Sequence, residues 1–136
     1  MGLDMYLYGV TRIIDGESCT SVIKLEEVAY WSKHNAIHNW MVKNIQDNTD
    51  NRALYALDEN CLKKLLESCC KVLRNPTVEN AMETLPTLDG FFFGGTDLTD
   101  DYELEYYLDG LKYTVRVIRE LLKDSKYEYY YYQASW

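Results

Sequence analysis

The sequence predicts an α+β fold, in which a small antiparallel or mixed sheet containing the N- and C-terminal strands packs against three main helices. Three observations support this. The first and the last dozen residues are rich in aromatic and β-branched side chains, and the residues between them repeat apolar side chains at helical spacing. A length of 136 residues fits one domain, residues 1–136, whose core needs no disulfides.

The opening segment has the pattern of a strand followed by a turn. Residues 3–14, LDMYLYGVTRII, end at Asp15-Gly16, a pair typical of hairpin turns, and residues 18–23 can return as the second strand. Because apolar side chains alternate onto both faces of the first strand, we expect it inside the sheet rather than at its edge.

Helical spacing dominates the middle of the chain. The first helix is predicted from about residue 25 to residue 46, because one stripe of side chains recurs every three or four positions. The stripe contains Val28, Trp31, Asn35, His38, Val42 and Ile45. Asp58 is expected to cap a second helix that ends before Pro76, and residues 77–84 can form a short additional one.

Two more strands are predicted, one on each side of the longest helix. Residues 91–93, three phenylalanines between glycines, predict a short buried strand that opens into a tight loop. Asp100 or Asp101 is expected to cap the helix that follows. The closing segment YEYYYYQASW alternates tyrosines onto both faces of a final strand, which we expect beside the first strand.

Composition and charge restrict the classes of partner. The net charge of −8 argues against direct binding of nucleic acid or of anionic membranes, since both require a basic surface. An acidic surface can serve solubility alone, or it can imitate nucleic acid in the groove of a partner protein. The sequence shows no signal-peptide pattern and no apolar run of membrane-spanning length, and its four cysteines form no C-x-x-C pair. We therefore expect a cytoplasmic protein with reduced thiols.

The first predicted helix carries the main candidate for a binding site. Trp31, Asn35 and His38 fall on its inward stripe, and Lys33 can reach the mouth of a pocket. Burying an amide and an imidazole costs roughly 1–3 kcal/mol each unless partners satisfy them. A pocket that offers ligand partners would offset this cost. The alternative is a core in which the chain itself provides the partners.

A glycine-containing loop can form a second wall of this pocket. Gly94, Gly95 and Thr96 follow the predicted phenylalanine strand. Glycines at the exit of a strand let backbone N–H groups approach a ligand closely, and the threonine adds a hydroxyl. The alternative is an ordinary tight turn.

The C-terminal part of the chain can supply a third wall. Tyr132 and Trp136 offer flat faces on which a ring can stack, unless they only form a sheet face covered by helices. On the longest helix, Arg116 or Arg119 can contact a phosphate group, or lie at the surface without a binding role.

The two histidines raise the question of a metal site. His34 and His38 stand four residues apart, the spacing of two zinc ligands on one helix, although this helical phase turns His34 toward solvent. Asn35 stands where the H-E-x-x-H metalloprotease signature has glutamate, and no third ligand follows at an obvious spacing. No nucleophile motif is present either. A non-catalytic protein without a cofactor is therefore favoured, and enzyme status stays open.

The segments MGLDMYLY, EEVAYWSKHNAIHNW, LPTLDGFFFGGT and YYYQASW together resemble a family of small, uncharacterised phage and prophage proteins. The resemblance covers nearly the whole chain. Gly95 and Ala134 depart from the family pattern, which reads GFFFGS in the middle and SSW at the end, so a ligand held by those serines would bind differently here. The resemblance implies a viral or prophage origin, a host bacterial cytoplasm and a role against host defence. It implies no catalytic residue.

Three functions follow as hypotheses. The first is a non-catalytic protein that binds a small molecule, in particular a nucleotide-derived host defence signal, and sequesters it. The second is an acidic interaction protein, of the anti-CRISPR or another anti-defence kind, that blocks a host protein. The third is a metal-dependent hydrolase that uses His34 and His38. Formation of a homo-oligomer through the tyrosine-rich strands is left open.

Overall fold

Strands from both ends of the chain meet in one antiparallel sheet. The computed structural model describes residues 2–17, 20–90 and 94–136, and in those ranges it contains four strands and four helices. In chain order these are β1 (Asp4–Asp15), β2 (Thr20–Ser32), α1 (Asn35–Asn44), β3 (Tyr55–Leu57), α2 (Glu59–Arg74), α3 (Val78–Thr84), α4 (Asp101–Asp124) and β4 (Tyr129–Ser135). The strand order is β2-β1-β4-β3. The predicted α+β class, with both terminal strands in one sheet, is confirmed.

β1 lies between β2 and β4, as its two apolar faces predict. It pairs with β2 along its whole length, which confirms the predicted hairpin, whereas β4 pairs only with residues 4–10 of β1. The far end of the β1–β2 hairpin therefore extends beyond the rest of the sheet.

The helices pack on one face of this sheet. Met5, Leu7, Tyr130 and Tyr132 have no exposed surface, and they join a single apolar cluster with buried side chains of every described helix. Full burial of one such aliphatic side chain stabilises the fold by about 1.5–3 kcal/mol, so this cluster forms the core. Strand side chains alternate between the two faces of a sheet. On the opposite face Ile23, Leu25 and Tyr30 are exposed, and none of the described helices covers them.

The predicted helix over residues 25–46 is wrong in its first part. Residues up to Ser32 belong to β2, and α1 begins only at Asn35. Trp31 fits the helical stripe of the prediction. It also fits a strand, because Ala29, two residues earlier, is buried on the same face. Pairing with the long β1 favours the strand, and a bulge at the Leu7/Tyr8 step accommodates one extra residue of β2.

Carboxylates cap the helices at the predicted places. Asp58 accepts a hydrogen bond from the backbone N–H of Cys61 at 3.0 Å, and Asp100 accepts one from Glu103 at 3.0 Å. Each bond satisfies an N–H group that has no partner within its own helix. Helix α2 ends before Pro76, also as predicted.

Strand β3, which pairs with β4, was not predicted, because three residues are too few to show a periodic pattern. The predicted strand at residues 91–93 lies outside the described residues. On either side of it, Gly90 and Gly94 exchange two backbone N–H···O bonds of 2.8 Å.

The described cysteines are free thiols. They are Cys61, Cys69 and Cys70. Burial raises the pKa of the Cys69 thiol far above its usual value, so this group stays protonated and unreactive. Over the ranges that the structure describes, no helix combines the length and the apolar character needed to cross a membrane.

Gly110 lets α4 approach the start of α1. A Cβ atom at this position would lie 2.1 Å from Cδ2 and 2.5 Å from Nε2 of His34. The His34 ring stacks on Tyr107, and its Nε2 lies 2.9 Å from the Tyr107 carbonyl oxygen. The expectation that His34 points toward solvent is therefore wrong: its side chain is 3% exposed, because it precedes α1 instead of lying on an exposed helical face.

We expect Gly110→Ala to destabilise the protein, although alanine is favoured over glycine inside a helix by about 1 kcal/mol. The new methyl group would overlap the fixed His34 ring, and such overpacking costs about 1–3 kcal/mol. Chemical denaturation should therefore show a lower free energy of unfolding.

Gly16→Ala is the matched control, because a Cβ atom at Gly16 meets nothing within 4 Å. Its free energy of unfolding should stay within about 0.5 kcal/mol of the wild-type value. A stabilised Gly110→Ala variant would contradict the close approach of His34.

Candidate functional site

A cleft of about 340 Å³ opens where the β2–α1 connection, the loop after Gly94 and the first turns of α4 come together. It is lined by Lys33, Asn35, Gly95, Thr96, Tyr102, Glu103 and Tyr106. The first four of these were predicted as site residues from two separate segments of the sequence. The fold brings them together because the start of α1 and the loop after Gly94 both lie beside the first turns of α4.

The β2–α1 connection forms the first wall. Lys33 has a left-handed backbone conformation, with φ of 54°, and its N–H donates to the Leu3 carbonyl at 2.7 Å. This turn ends the strand and starts the helix within two residues. The Lys33 side chain is exposed, and its Cε lies 2.7 Å from the position that a Cβ atom on Gly2 would take. The glycine thus lets the lysine stem lie flat beside the cleft.

The loop after Gly94 forms the second wall. The Asn35 side-chain amide, 2% exposed, donates to the Gly94 carbonyl at 3.2 Å and so ties the loop to α1. Gly94 adopts a φ of +71°, which favours glycine, and Gly95 lies so close to Asp89 that a Cβ atom would be 2.4 Å from the carboxylate. Thr96, the next residue, lines the cleft.

The start of α4 forms the third wall. Tyr102 is 77% exposed, and the Tyr106 hydroxyl donates to the carbonyl of Ser32 at the end of β2. Glu103 accepts a hydrogen bond from the backbone N–H of Asp97 at 2.5 Å. The two rings stand one helical turn apart and present flat, partly apolar surfaces with polar tips.

The electrostatic balance of the cleft limits what it can hold. Lys33 brings one positive charge, whereas Glu103 lines the cleft and Asp97 lies beside it. Hydrogen bonds from the hydroxyl and the backbone N–H of Thr99 lower the pKa of Asp97, so this carboxylate stays ionised at neutral pH. The cleft is therefore suited to a flat polar ligand with little negative charge, and not to a polyphosphate.

Trp31 does not line this cleft. Its indole N–H donates to the Thr114 hydroxyl at 2.8 Å, and its ring meets the edge of Tyr113 at 6.1 Å. Trp31 lines a neighbouring groove of about 300 Å³. Tyr106 and Gly110 also line that groove. The indole is only 4% exposed, so it forms the floor of that groove at most.

His38 belongs to a buried cluster away from the cleft. Its Nδ1 lies 2.8 Å from the Tyr132 hydroxyl, and its Nε2 lies 2.8 Å from an Asp50 carboxylate oxygen. A neutral ring that accepts from Tyr132 and donates to Asp50 satisfies both contacts. Burial lowers the pKa of His38, and the Asp50 carboxylate opposes that shift. The centroid of the Trp136 ring lies 5.9 Å from that of His38, and the Arg52 guanidinium lies over the Trp136 ring, 5.4 Å from its centroid.

The polar groups that suggested a pocket therefore have partners in the chain itself. Trp31 bonds to Thr114, Asn35 to Gly94, and His38 to Tyr132 and Asp50. Their burial does not require a ligand. Of the predicted site residues, Lys33, Asn35, Gly95 and Thr96 line the cleft, and Gly94 anchors its loop. His38, Tyr132, Trp136 and Arg116 are not among the lining residues. Arg116 instead lies over the Tyr113 ring at 5.5 Å.

Sequence reasoning missed the residues that α4 contributes. Tyr102 and Tyr106 stand four residues apart and fall outside the apolar stripe of that helix, a signal for exposed aromatic side chains that could have been used. Asp50 gave no such signal, because it lies in a polar loop among several similar residues.

Both histidines use their ring nitrogens in contacts within the chain. His34 accepts from the Ile37 N–H through Nδ1 and contacts Tyr107 through Nε2, so both of its nitrogens are engaged, as are those of His38. Within the described ranges, no group of three histidine, cysteine, aspartate or glutamate side chains could hold a metal ion.

Comparisons of the chain with protein-family models, with curated proteins and with solved structures find no match.

We expect the free energy of unfolding to fall as the pH drops below about 6.5. Burial lowers the pKa values of His34 and His38, so the unfolded chain binds protons that the folded chain excludes. Stability is then full above the ordinary histidine pKa and decreases below it, by at most about 1.4 kcal/mol per pH unit for each histidine.

Denaturant unfolding between about pH 7.5 and about pH 5 would measure this slope before most carboxylates titrate. His38→Gln should remove the part that belongs to His38, and NMR titration of the remaining ring would report His34 directly. A His34 ring that titrates near its ordinary pKa in the folded protein would contradict its burial.

Proposed function

We propose that this protein is a non-catalytic binding protein that holds a small flat ligand in the cleft between Lys33, Thr96 and Tyr106. The observation that carries the proposal is the convergence of two separately predicted segments on one opening of about 340 Å³, a volume typical of small-molecule sites. The lining combines a lysine, a threonine hydroxyl, an amide and two tyrosine rings. Such a set binds and orients a ligand, and it contains no paired nucleophile and base.

The lining favours a ligand with one ring system and at most one negative charge. Tyr102 and Tyr106 offer stacking surfaces, and Lys33 can neutralise a single anionic group. Glu103 and the ionised Asp97 oppose any further negative charge. A nucleoside 3′,5′-cyclic phosphate meets these conditions, because its phosphodiester carries one charge, whereas a nucleoside triphosphate does not.

The phage resemblance supplies a biological setting for this proposal. A small protein that binds a nucleotide-derived signal without converting it lowers the free concentration of that signal in the host. Such a sponge needs affinity and abundance but no catalytic group, which agrees with the residues that line the cleft.

A thermal-shift screen would test the ligand-binding function. We expect a nucleoside cyclic monophosphate to raise the unfolding temperature and ATP to leave it unchanged, and a ligand at 100 times its dissociation constant adds about 2.7 kcal/mol of stability. Lys33→Met and Thr96→Val should each weaken the shift, because they remove the cation and the hydroxyl from the lining.

Lys63→Met is the matched control, since Lys63 is an exposed lysine of α2 outside the cleft. It should retain the full shift. If no member of a panel of nucleosides, cyclic nucleotides and dinucleotides stabilises the protein, or if Lys33→Met and Thr96→Val leave the shift intact, ligand binding at this cleft is refuted.

A second candidate function is that of an acidic interaction protein that blocks a basic host protein. The observation that favours it is the exposure of the acidic residues at the start of α4, where Asp101 and Glu105 accompany the cap Asp100. Charge on such a surface accelerates association with a basic partner and makes binding salt-dependent.

The two functions predict opposite results for one pair of variants. Under the second function, the double variant Asp101→Lys/Glu105→Lys loses anti-defence activity in infected cells, whereas Lys33→Met retains it. Under the first, Lys33→Met loses activity and the double variant keeps it. Plaque formation on a defended host would measure both. The hydrolase alternative gains no support from the geometry of the described histidines.

A further inference from the structure

The face of the sheet that the helices leave uncovered is rich in tyrosine and aliphatic side chains. In register, Tyr6 pairs with Tyr30, and Tyr8 lies between Glu27 and Tyr131. Next along β1, Val10 lies between Leu25 and Tyr129. Side chains of paired residues share a face, so these form one continuous surface, which we call the open face. Val10 is fully buried and is not part of the core cluster formed with the helices, so it marks the middle of the open face without being exposed to a partner itself.

The hairpin end continues this surface beyond β4. Ile14 is 71% exposed, and Ile23 and Leu25 on β2 are 49% and 43% exposed. Ile14 and Ile23 lie beyond the last residue of β1 that pairs with β4, whereas Leu25 pairs with Val10 at that boundary. Large aliphatic side chains grouped with tyrosines in this way are typical of the centre of a protein interface.

The charges on the open face are few and of opposite sign. Arg12 follows Val10 by two residues, and Glu27 pairs with Tyr8, which precedes Val10 by two residues. Among the described residues, neither Arg12 nor Glu27 takes part in an ion pair. The third charged residue, Asp4, accepts a hydrogen bond from the Tyr30 hydroxyl at 2.5 Å and is thereby satisfied within the chain.

This arrangement is self-complementary. About 7 Å of strand separates Val10 from Arg12 on one side and from the Tyr8–Glu27 pair on the other. Two copies can be placed with their open faces in contact. A two-fold axis that lies between the two sheets, passes over Val10 and runs perpendicular to β1 would place Arg12 of one copy beside Glu27 of the other. The same axis would place Ile14 over Tyr6, so that the hairpin end of each copy covers the tyrosines at the opposite end of its partner.

We propose that the open face binds a second copy of this chain, forming a two-fold dimer in which Arg12 of each protomer pairs with Glu27 of its partner. A different protein could cover the apolar residues, but a second copy also accounts for the opposite charges, which lie two residues to either side of Val10 along the strand direction. In a two-fold dimer the same surface of both copies forms the interface, so a contact from Arg12 to Glu27 occurs twice, once in each direction.

The dimer should be weak. The net charge of −8 on each copy opposes association, although physiological salt screens charges separated by more than about 8 Å. The open face also has fewer side chains than the roughly 20–30 per partner of a standard interface. We therefore expect a dissociation constant on the order of micromolar.

Sedimentation equilibrium of the full chain, from about 1 µM to about 500 µM, would measure the dimer. Arg12→Glu and Glu27→Arg should each weaken it by about tenfold or more, because each change creates two like-charge contacts. Mixing the two single variants should restore association as a heterodimer, since both pairs then have opposite charges again. The double variant Arg12→Glu/Glu27→Arg should self-associate with nearly the wild-type affinity.

Lys24→Glu is the control, because it makes the same charge change as Arg12→Glu on the opposite face of the hairpin, where Lys24 pairs with Thr11. It should leave the dimer intact, and far-UV circular dichroism should show that every variant is folded. A wild-type chain that stays monomeric over the whole range, single variants that still dimerise, or a mixture that fails to associate would each overturn the proposed dimer.

Discussion

The contact between the His34 ring and the backbone of α4 at Gly110 is the constraint on which the arrangement of this molecule depends. His34 caps α1 through its Nδ1 and meets the Tyr107 carbonyl through its Nε2, so one side chain fixes the start of one helix against the middle of another. The turn at Lys33 and the position of Asn35 follow from this anchor, since both lie within one residue of it. The candidate cleft lies between these residues and the first turns of α4, and its shape therefore depends on the same contact.

The parts of the fold that the sequence predicted are those determined by local pattern. Alternating apolar side chains identified the first and last strands, and the carboxylates Asp58 and Asp100 marked helix starts, because a cap acts within three residues of its own position. Residues 25–32 could not be assigned in this way. Ala29 and Trp31 fit a strand, while Val28 and Trp31 fit a helix, and the choice depends on pairing with a strand some twenty residues earlier in the chain. Partners at that distance leave no local signal.

The candidate site was predicted only in part, because its residues come from distant positions in the sequence. Lys33, Asn35 and Thr96 could be selected because their chemistry suits a ligand, but the sequence does not show which distant residues face them. The buried polar groups have partners in the chain itself, which is the alternative that the sequence had left open beside a ligand pocket. Asp50 provides the partner for His38 across twelve residues, and Thr114 provides the partner for Trp31 across eighty-three. Burial of a polar side chain thus indicates a required partner without indicating its source.

Tyrosine serves two purposes on the two faces of β4. Toward the helices, the Tyr132 hydroxyl bonds to His38, whereas the buried Tyr130 hydroxyl has no hydrogen-bond partner among the described residues. Leaving a buried hydroxyl unsatisfied costs about 1–3 kcal/mol, so packing of the Tyr130 ring must outweigh that cost.

On the open face, Tyr129 and Tyr131 are half-buried against each other, with their ring centroids 5.4 Å apart. Half-burial lets such rings keep their polar tips near water. A surface built from tyrosine is therefore stable while it is uncovered, and it still provides apolar area when a partner covers it. The same residue type that completes the core can thus support weak, reversible association on the other side of the sheet.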